Sequence, residues 1–532
     1  MKRTLLTAPL ALALVSLISL TACNKQQPAP AGPQTSAAAP SAEPTSFRQV
    51  TAQLDPGGNV YLYLSTEQWL EGLSAKVSAW RGLADAIPDV ASNERANIGK
   101  VFDVVTHLIH DSGVEEVSGF GMSSIAREKG FYHTKALLHH YQGKDTGFLW
   151  KMFGQKQHPL AAQDFLPANT AVASFFDLDL ALVWSVLQKQ ATQSGLPEAG
   201  DFLNQAPTMF ETATGLKWDQ VLASLGGEFG LVLTLDDTRK IALPLPGAEG
   251  PFEIPEPGLM LVVKVKDDLV FKRIDEVLKS MGQSVISSNT PNCQMRTVPV
   301  PLPLPILLRP TVATSGGYLF IATSDTLIQE ALAVKAGKKP GLKSTEEFRR
   351  LASDVPSQGN QFSFLSHRFG QTLVQLQKNA LPLAAKGQPA QMEWLQSFLT
   401  SSNAAFSYSV SANTDEGWLS VCNGNQHPAK MLLLGAAVPV GMLSAIAIPN
   451  FVKARTTAQK NACINNLRQI DAAKQQWALE NKKPDSVTPT RSALRPYLNS
   501  HQFPVCPAGG DYTIGSLSEK PRCSQAGHEL PQ

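Results

Sequence analysis

The residue types best suited to chemistry in this chain are its six cysteines and ten histidines. Cys506 and Cys523 enclose a short loop carrying Gly509, Gly510 and Gly515, and His528 follows them. Oxidation would close a Cys506–Cys523 disulfide, worth about 3 kcal/mol in the loop-entropy picture. It would staple a small tail that has little core of its own. Two thiolates and an imidazole also permit zinc, but only three ligands are local and an exported chain favours oxidation. The expectation is therefore a disulfide, with no metal and no cofactor. Cys463 reads as an odd thiol on a helix, and the pairing of Cys293 and Cys422 stays open.

His107 and His110 are three apart on a helical stripe of Ile98, Val101, Phe102, Val105, Leu108 and Ile109. That spacing can hold a metal. His139 and His140 lie downstream without a matching carboxylate, so surface histidines beside a core stripe are the simpler reading. Gly337-Lys338-Lys339-Pro340-Gly341-Leu342-Lys343-Ser344 has the look of a phosphate loop but fails on count. Leu342 separates the second glycine from its lysine, and Pro340 removes an N–H that the cradle needs. There is no Gly-x-Ser-x-Gly elbow, no Cys-x-x-Cys and no His-Glu-x-x-His. The expectation is that catalytic residues are none. Lysine plus arginine exceeds aspartate plus glutamate by only two, which argues against a polyanion-binding chain and gives no nucleic-acid partner.

The elements that would position such residues fall between 47 and 425. Gly58-Asn59 precedes the strand Val60 to Leu64, and Ser65-Thr66-Glu67-Gln68 opens a helix carrying Trp69, Leu70, Leu73, Val77, Trp80, Leu83 and Ile87. Similar strand-to-helix starts recur at Asn169 to Phe176 and at Gly359 to Ser366. Paired strands are expected at Val117–Met122 with Phe131–His139, and again at Phe229–Leu235 with Leu259–Val265. Tyr318–Ala322 adds a strand, and Ser324 caps the helix after it. Val298 to Leu304 has proline at 299, 301 and 303, which strips N–H donors from one side only. It suits an edge strand or a polyproline II segment, either as edge protection or as a docking rim. The units are antiparallel sheets with helices on one face, in two related halves cut near Leu166. They are weakly similar to bacterial periplasmic domains of unknown function built from repeated strand–helix units.

The first residues read as an address. Lys2 and Arg3 precede an apolar run from Leu5 to Leu20, too short for a stable span, which ends in Leu20-Thr21-Ala22-Cys23. This string resembles a bacterial lipobox. The resemblance implies cleavage before Cys23 and lipid on its thiol and new amino group, palmitate included, so that the protein is held on a membrane. Asn24 in place of an aspartate resembles an outer-membrane sorting choice. Asn24 to Ser46 contains no Val, Ile, Leu, Met, Phe, Trp or Tyr and five prolines, so it reads as a disordered tether reaching about 70 Å.

Met431 to Ile448 is an uncharged run, followed by Pro449-Asn450-Phe451 and by a helix through Trp477. The string Ala445-Ile446-Ala447-Ile448-Pro449-Asn450-Phe451 resembles the helix of type IV pilin and type II secretion pseudopilin-like proteins. Cys506-Pro507-Ala508-Gly509-Gly510-Asp511-Tyr512 and Gly527-His528-Glu529-Leu530 resemble the tail of the same group. The run lacks the Gly–Phe cleavage pair and the glutamate of pilin precursors, so the module looks fused to a lipoprotein and not built into a fibre. Residues 449–483 carry seven basic and two acidic side chains, which suits anionic headgroups. Whether 431–448 spans a membrane, lies on one or packs against pilin-like helices stays open at this point.

The fold class so read is α+β, with repeated strand–helix units in two related halves, then a long pilin-like hydrophobic helix and a small disulfide-containing tail. The divisions are 1–22 signal, 23–46 tether, 47–165 and 166–426 halves, 427–483 helix and 484–532 tail. The function read is a non-enzymatic, lipid-anchored cell-envelope protein facing the periplasm, an interaction module with pilin-like or secretion-system proteins as partners. The alternative is an extracytoplasmic hydrolase or ligand-binding protein with its site within 47–425.

Overall fold

The computed structural model describes residues 45–85, 92–194, 197–243, 252–280, 285–300, 308–384, 404–426, 460, 462–498, 502–507, 509–525 and 527–530. The chain divides into two compact units. One holds residues 42–431 and the other the C-terminal hundred residues.

The larger unit is built on one sheet of thirteen strands, every neighbour pairing antiparallel. Its chain order is α1 (Phe47–Ala52), β1 (Val60–Ser65), α2 (Leu73–Asp85), α3 (Ser92–Ser112), β2 (Val117–Glu128), β3 (Phe131–His140) and α4 (Phe148–Met152). Then come β4 (Thr170–Asp177), α5 (Leu180–Ser194), α6 (Pro197–Thr214), α7 (Trp218–Ser224), β5 (Leu225–Leu243), β6 (Phe252–Val265) and α8 (Leu269–Ser280). β7 (Ile286–Thr290), β8 (Cys293–Thr297), β9 (Thr311–Ser315), β10 (Tyr318–Ala322), α9 (Asp325–Lys335) and α10 (Glu346–Leu351) follow. β11 (Gln361–Leu365), α11 (His367–Ala384), β12 (Ser407–Thr414) and β13 (Gly417–Gly424) complete it. Across the sheet the strands run β1-β2-β3-β13-β12-β11-β4-β5-β6-β10-β9-β8-β7.

Three strand–helix–hairpin units underlie that order. β1 leads through α2 and α3 to the β2–β3 hairpin, β4 through α5 to α7 to β5–β6, and β11 through α11 to β12–β13. The third unit lies between the other two, joined to the first through β3 and β13 and to the second through β11 and β4. The expected two halves are thereby corrected. No cut at Leu166 separates the sheet, because β13, near the end of this unit, pairs with β3 near its start. Leu166 is itself fully buried, and its carbonyl accepts from the Leu342 N–H.

Strand alternation fixes the core. Ala173, Phe175, Val232, Met260, Val262, Phe320, Phe362, Phe364 and Val410 point to one face, covered by α9, α10 and the turn Ala161–Phe165. Phe175 and Phe362 stack at 4.9 Å across the β4–β11 seam. A Cβ on Gly230, opposite Phe175, would stand 2.1 Å from that ring, so glycine is what lets the aromatic lie flat there. α8 covers the other face near the far edge, burying Phe271 against Val312 and Leu319. Ser324 accepts from the Leu327 N–H and caps α9, and Thr345 accepts from the Phe348 N–H and caps α10.

The Trp69 to Ile87 pattern is not one helix. A short turn, Glu67–Leu70, breaks at Gly72, whose φ is +64°. The first proline of the 298–304 repeat sits as the donor argument requires. The N–H groups of Val298 and Val300 donate to Pro310 and Leu308, while Pro299 faces the other way, past the end of the β7 pairing.

The smaller unit is a helix, α12 (462–481), packed on a short irregular tail. Cys463, Leu467, Ile470 and Ala473 form its buried stripe against Leu494, Leu498, Cys506, Tyr512 and Ile514. Lys474 extends that stripe. It is fully buried, and its ammonium donates to the carbonyls of Ile514 at 2.9 Å and Glu519 at 2.6 Å. Thr490 caps α13 (Arg491–Leu494), and β14 (Tyr512–Thr513) pairs with β15 (Arg522–Cys523).

The expectation of a long pilin-like hydrophobic helix is corrected here. Among the described residues no helix is long and apolar enough to cross a membrane. α12 is amphipathic because only one stripe of it meets a core. The 431–448 run lies outside the described residues, as do the signal and Cys23.

Candidate functional site

A cleft of about 800 Å³ opens where β4 ends and β5 begins. Asp177 closes β4 and Glu228 stands opposite it in register on β5, both facing the cleft. Two carboxylates so placed repel unless compensated. His158 compensates the first, its Nε2 lying 2.9 Å from Asp177 Oδ2 and 3.1 Å from Oδ1. The Asn360 side-chain amide also donates to Asp177, at 2.9 Å. The Tyr318 hydroxyl donates to Glu228 at 2.9 Å, with Lys264 Nζ at 4.0 Å.

Bonding to Asp177 pushes the His158 pKa up to about 9 against an opposing effect of burial. Burial, reinforced by Glu228, raises the Tyr318 phenol. Gly154, at φ +95°, belongs to the same network, for a Cβ there would meet Asn360 and Asp177 within 2.6 Å. Asn360 Oδ1 accepts from the Asn413 N–H, and the Asn413 amide donates to the carbonyls of Trp150 and Gly154. The lining contains no serine, threonine, cysteine or tyrosine, so a hydroxyl or thiol nucleophile is absent from its described residues.

A second cluster lies in the smaller unit. The ligand atoms of Cys463, Cys506, Cys523 and His528 all fall within 4.8 Å of one another. The sulfurs of Cys506 and Cys523 are 3.7 Å apart, against about 2.05 Å for a disulfide. Cys506 Sγ is 4.0 Å from His528 Nδ1. The Tyr512 hydroxyl donates to Cys463 Sγ at 3.4 Å, and the Gln525 N–H to Cys523 Sγ at 3.5 Å. Burial pushes the Cys463 thiol up to about 12, with the two neighbouring thiols adding to it. The tail expected to contain a disulfide therefore brings together four potential ligands, with no S–S contact at bonding distance.

The other sequence candidates disperse. His107 and His110 are exposed on α3, with His110 3.6 Å from Glu115, and they join no group of three ligands among the described residues. His139 and His140 are buried. His139 bonds Ser118 Oγ at 2.6 Å and its pKa is lowered by burial, while His140 packs edge-on against Trp150. The 337–344 segment is structural. Gly337 ends α9 at φ +69°, Leu342 is buried, and Lys343 pairs with Asp164. Cys293 on β8 and Cys422 on β13 are eight strands apart, about 38 Å at the usual spacing, so they do not pair. The Cys422 thiol is pushed up to about 12 by burial.

The cleft residues His158, Asp177, Glu228, Asn360 and Tyr318, and the inward placement of Cys463, escape sequence reasoning. His158 meets Asp177 and Asn360 only through the sheet, and no local spacing announces it. Cys463 did leave a signal, because Cys463, Leu467 and Ile470 hold the i, i+4, i+7 positions of an inward stripe, which turns the thiol toward the tail.

No curated protein matches this chain, and no solved structure matches it. A family model described as a protein of unknown function (DUF3352) matches residues 149–405, a little under half of the chain, from within α4 to just before β12.

Proposed function

We propose that the chain is a lipid-anchored, non-enzymatic cell-envelope protein whose large sheet unit is an extracytoplasmic interaction module. The observation that carries the non-catalytic reading is the chemistry of the cleft. Its facing carboxylates Asp177 and Glu228 are bonded to His158, Asn360 and Tyr318, and no hydroxyl or thiol side chain is among its described lining residues. The anchor rests on Leu20-Thr21-Ala22-Cys23 after an apolar run. Association with pilus or secretion proteins rests on the 445–451 and 506–512 strings alone. Mass spectrometry of the N-terminal peptide from native membranes tests the anchor. A Cys23 carrying diacylglyceryl on its thiol and an acyl chain on its amino group is expected, with Cys23→Ser leaving the membrane fraction; an unlipidated mature N-terminus would sink the proposal.

A second reading, a ligand-binding protein or hydrolase acting in the cleft, is favoured by one observation: His158 Nε2 lies within hydrogen-bond distance of both Asp177 carboxylate oxygens at the cleft wall, which pushes the His158 pKa up to about 9. A small polar ligand that stabilises the native protein but not His158→Gln would turn the assignment that way.

A further inference from the structure

We propose that Cys463, Cys506, Cys523 and His528 form a closed structural zinc site that holds α12 to the tail. Four ligand atoms, three sulfurs and one imidazole nitrogen, converge within 4.8 Å from three separate segments. They come from the first turn of α12, from the loop before β14 and from the end of β15 with the turn beyond it. Tetrahedral zinc with Zn–S bonds of about 2.3 Å spaces its sulfurs about 3.8 Å apart. The Cys506–Cys523 separation of 3.7 Å matches that value and not a disulfide.

The surroundings fit the same cation. Metal-bound thiolates are oriented by donors around them, and here the Tyr512 hydroxyl and the Gln525 N–H each point at a sulfur. Gly510 is a cradle, since a Cβ on it would stand 2.8 Å from the Cys523 sulfur. Four protein ligands leave no open position, so the site is structural and not hydrolytic. Binding one Zn²⁺ displaces the three thiol protons to solvent and leaves a net charge of −1 on the cluster.

Zinc and a disulfide make opposite demands on Cys463. It is a ligand in the first case and a bystander in the second. The test uses the full-length protein, solubilised in detergent from cells grown with zinc. Elemental analysis should find one zinc per chain in the freshly isolated protein. Exchange of the metal for cobalt should give thiolate-to-cobalt charge-transfer bands and the strong visible bands of a tetrahedral centre. Cys463→Ser should lose the stoichiometric zinc, and His528→Cys should keep it. If a variant fails to fold, the zinc content and cobalt spectrum of the unaltered protein decide alone. Freshly isolated protein without zinc, carrying a Cys506–Cys523 disulfide by peptide mass spectrometry, overturns the proposal. So does unchanged zinc content in Cys463→Ser.

Discussion

The two units of this chain solve the same problem by different means. The sheet unit spreads its apolar core over neighbouring strands, with Phe175 on Phe362 at one seam and Phe320 beneath α9 at another. No single contact there carries the fold. Among the described residues, the core cluster of the smaller unit holds nine buried residues around one helix, and two of them are cysteines. A core so small supplies only a few kcal/mol by apolar packing alone. A staple is what such a domain lacks, and the four-ligand cluster occupies that place. The contrast teaches where a single atom matters: nowhere in particular in the sheet, and at the sulfurs and one ammonium in the tail.

That contrast can be broken by experiment. The largest effect is expected from Cys463→Ser, or from strong chelation of the native protein. Limited proteolysis should then cut within 462–530 while 45–426 stays resistant, and equal resistance in both regions would erase the distinction. Next is Phe320→Ala, fully buried in the sheet core. It should cost about 3–5 kcal/mol in denaturant unfolding of the sheet unit and leave the zinc content unchanged. Lys474→Met removes the donor to the Ile514 and Glu519 carbonyls. It should destabilise the tail by about 1–3 kcal/mol, because one buried and one partly buried carbonyl lose their partner. An unaltered melting profile would show that the lysine is dispensable.

The smallest effect concerns pH. The folded pKa of His158 lies above its ordinary value of 6.5, at about 9. Its contribution to sheet stability is therefore full below about pH 6.5 and fades as pH rises through 9. About 1–2 kcal/mol is expected after allowance for solvent around a partly exposed pair. His158→Gln should flatten the stability profile between those limits, and a wild-type profile already flat there would remove the ion pair from the account.

Local features were legible because their causes are local. The strand-to-helix starts at 60, 171 and 361 are marked by turn residues followed by runs of strand-forming side chains. Ser324 and Pro299 do what their donor and acceptor chemistry dictates. The break at Gly72 was hidden because a helical stripe continues across it in the sequence. The strand order was not legible, since alternation tells which face is buried and never which neighbour lies beside it. Two halves were therefore read where three units interleave. The cleft was missed for the same reason, His158, Asp177 and Asn360 being joined by pairing alone. In the tail, Cys506, Cys523 and His528 stood out by proximity. Cys463 was set aside because distance in sequence hid a ligand that the helix stripe had already turned inward.

The position of the β12–β13 hairpin has a consequence for how the chain reaches its final state. These strands are the last of the sheet to leave the ribosome, yet they sit between β3 and β11. Until residue 424 has emerged, the β3 and β11 edges that receive the hairpin stay open, each a template for pairing with another chain. The sheet cannot close progressively as it is made, and its completion is a late, long-range event of the slow kind. During assembly those waiting edges stay open to pairing with other chains until the hairpin arrives. A chain cut short before residue 407 would keep both edges exposed and be sent to aggregation or degradation.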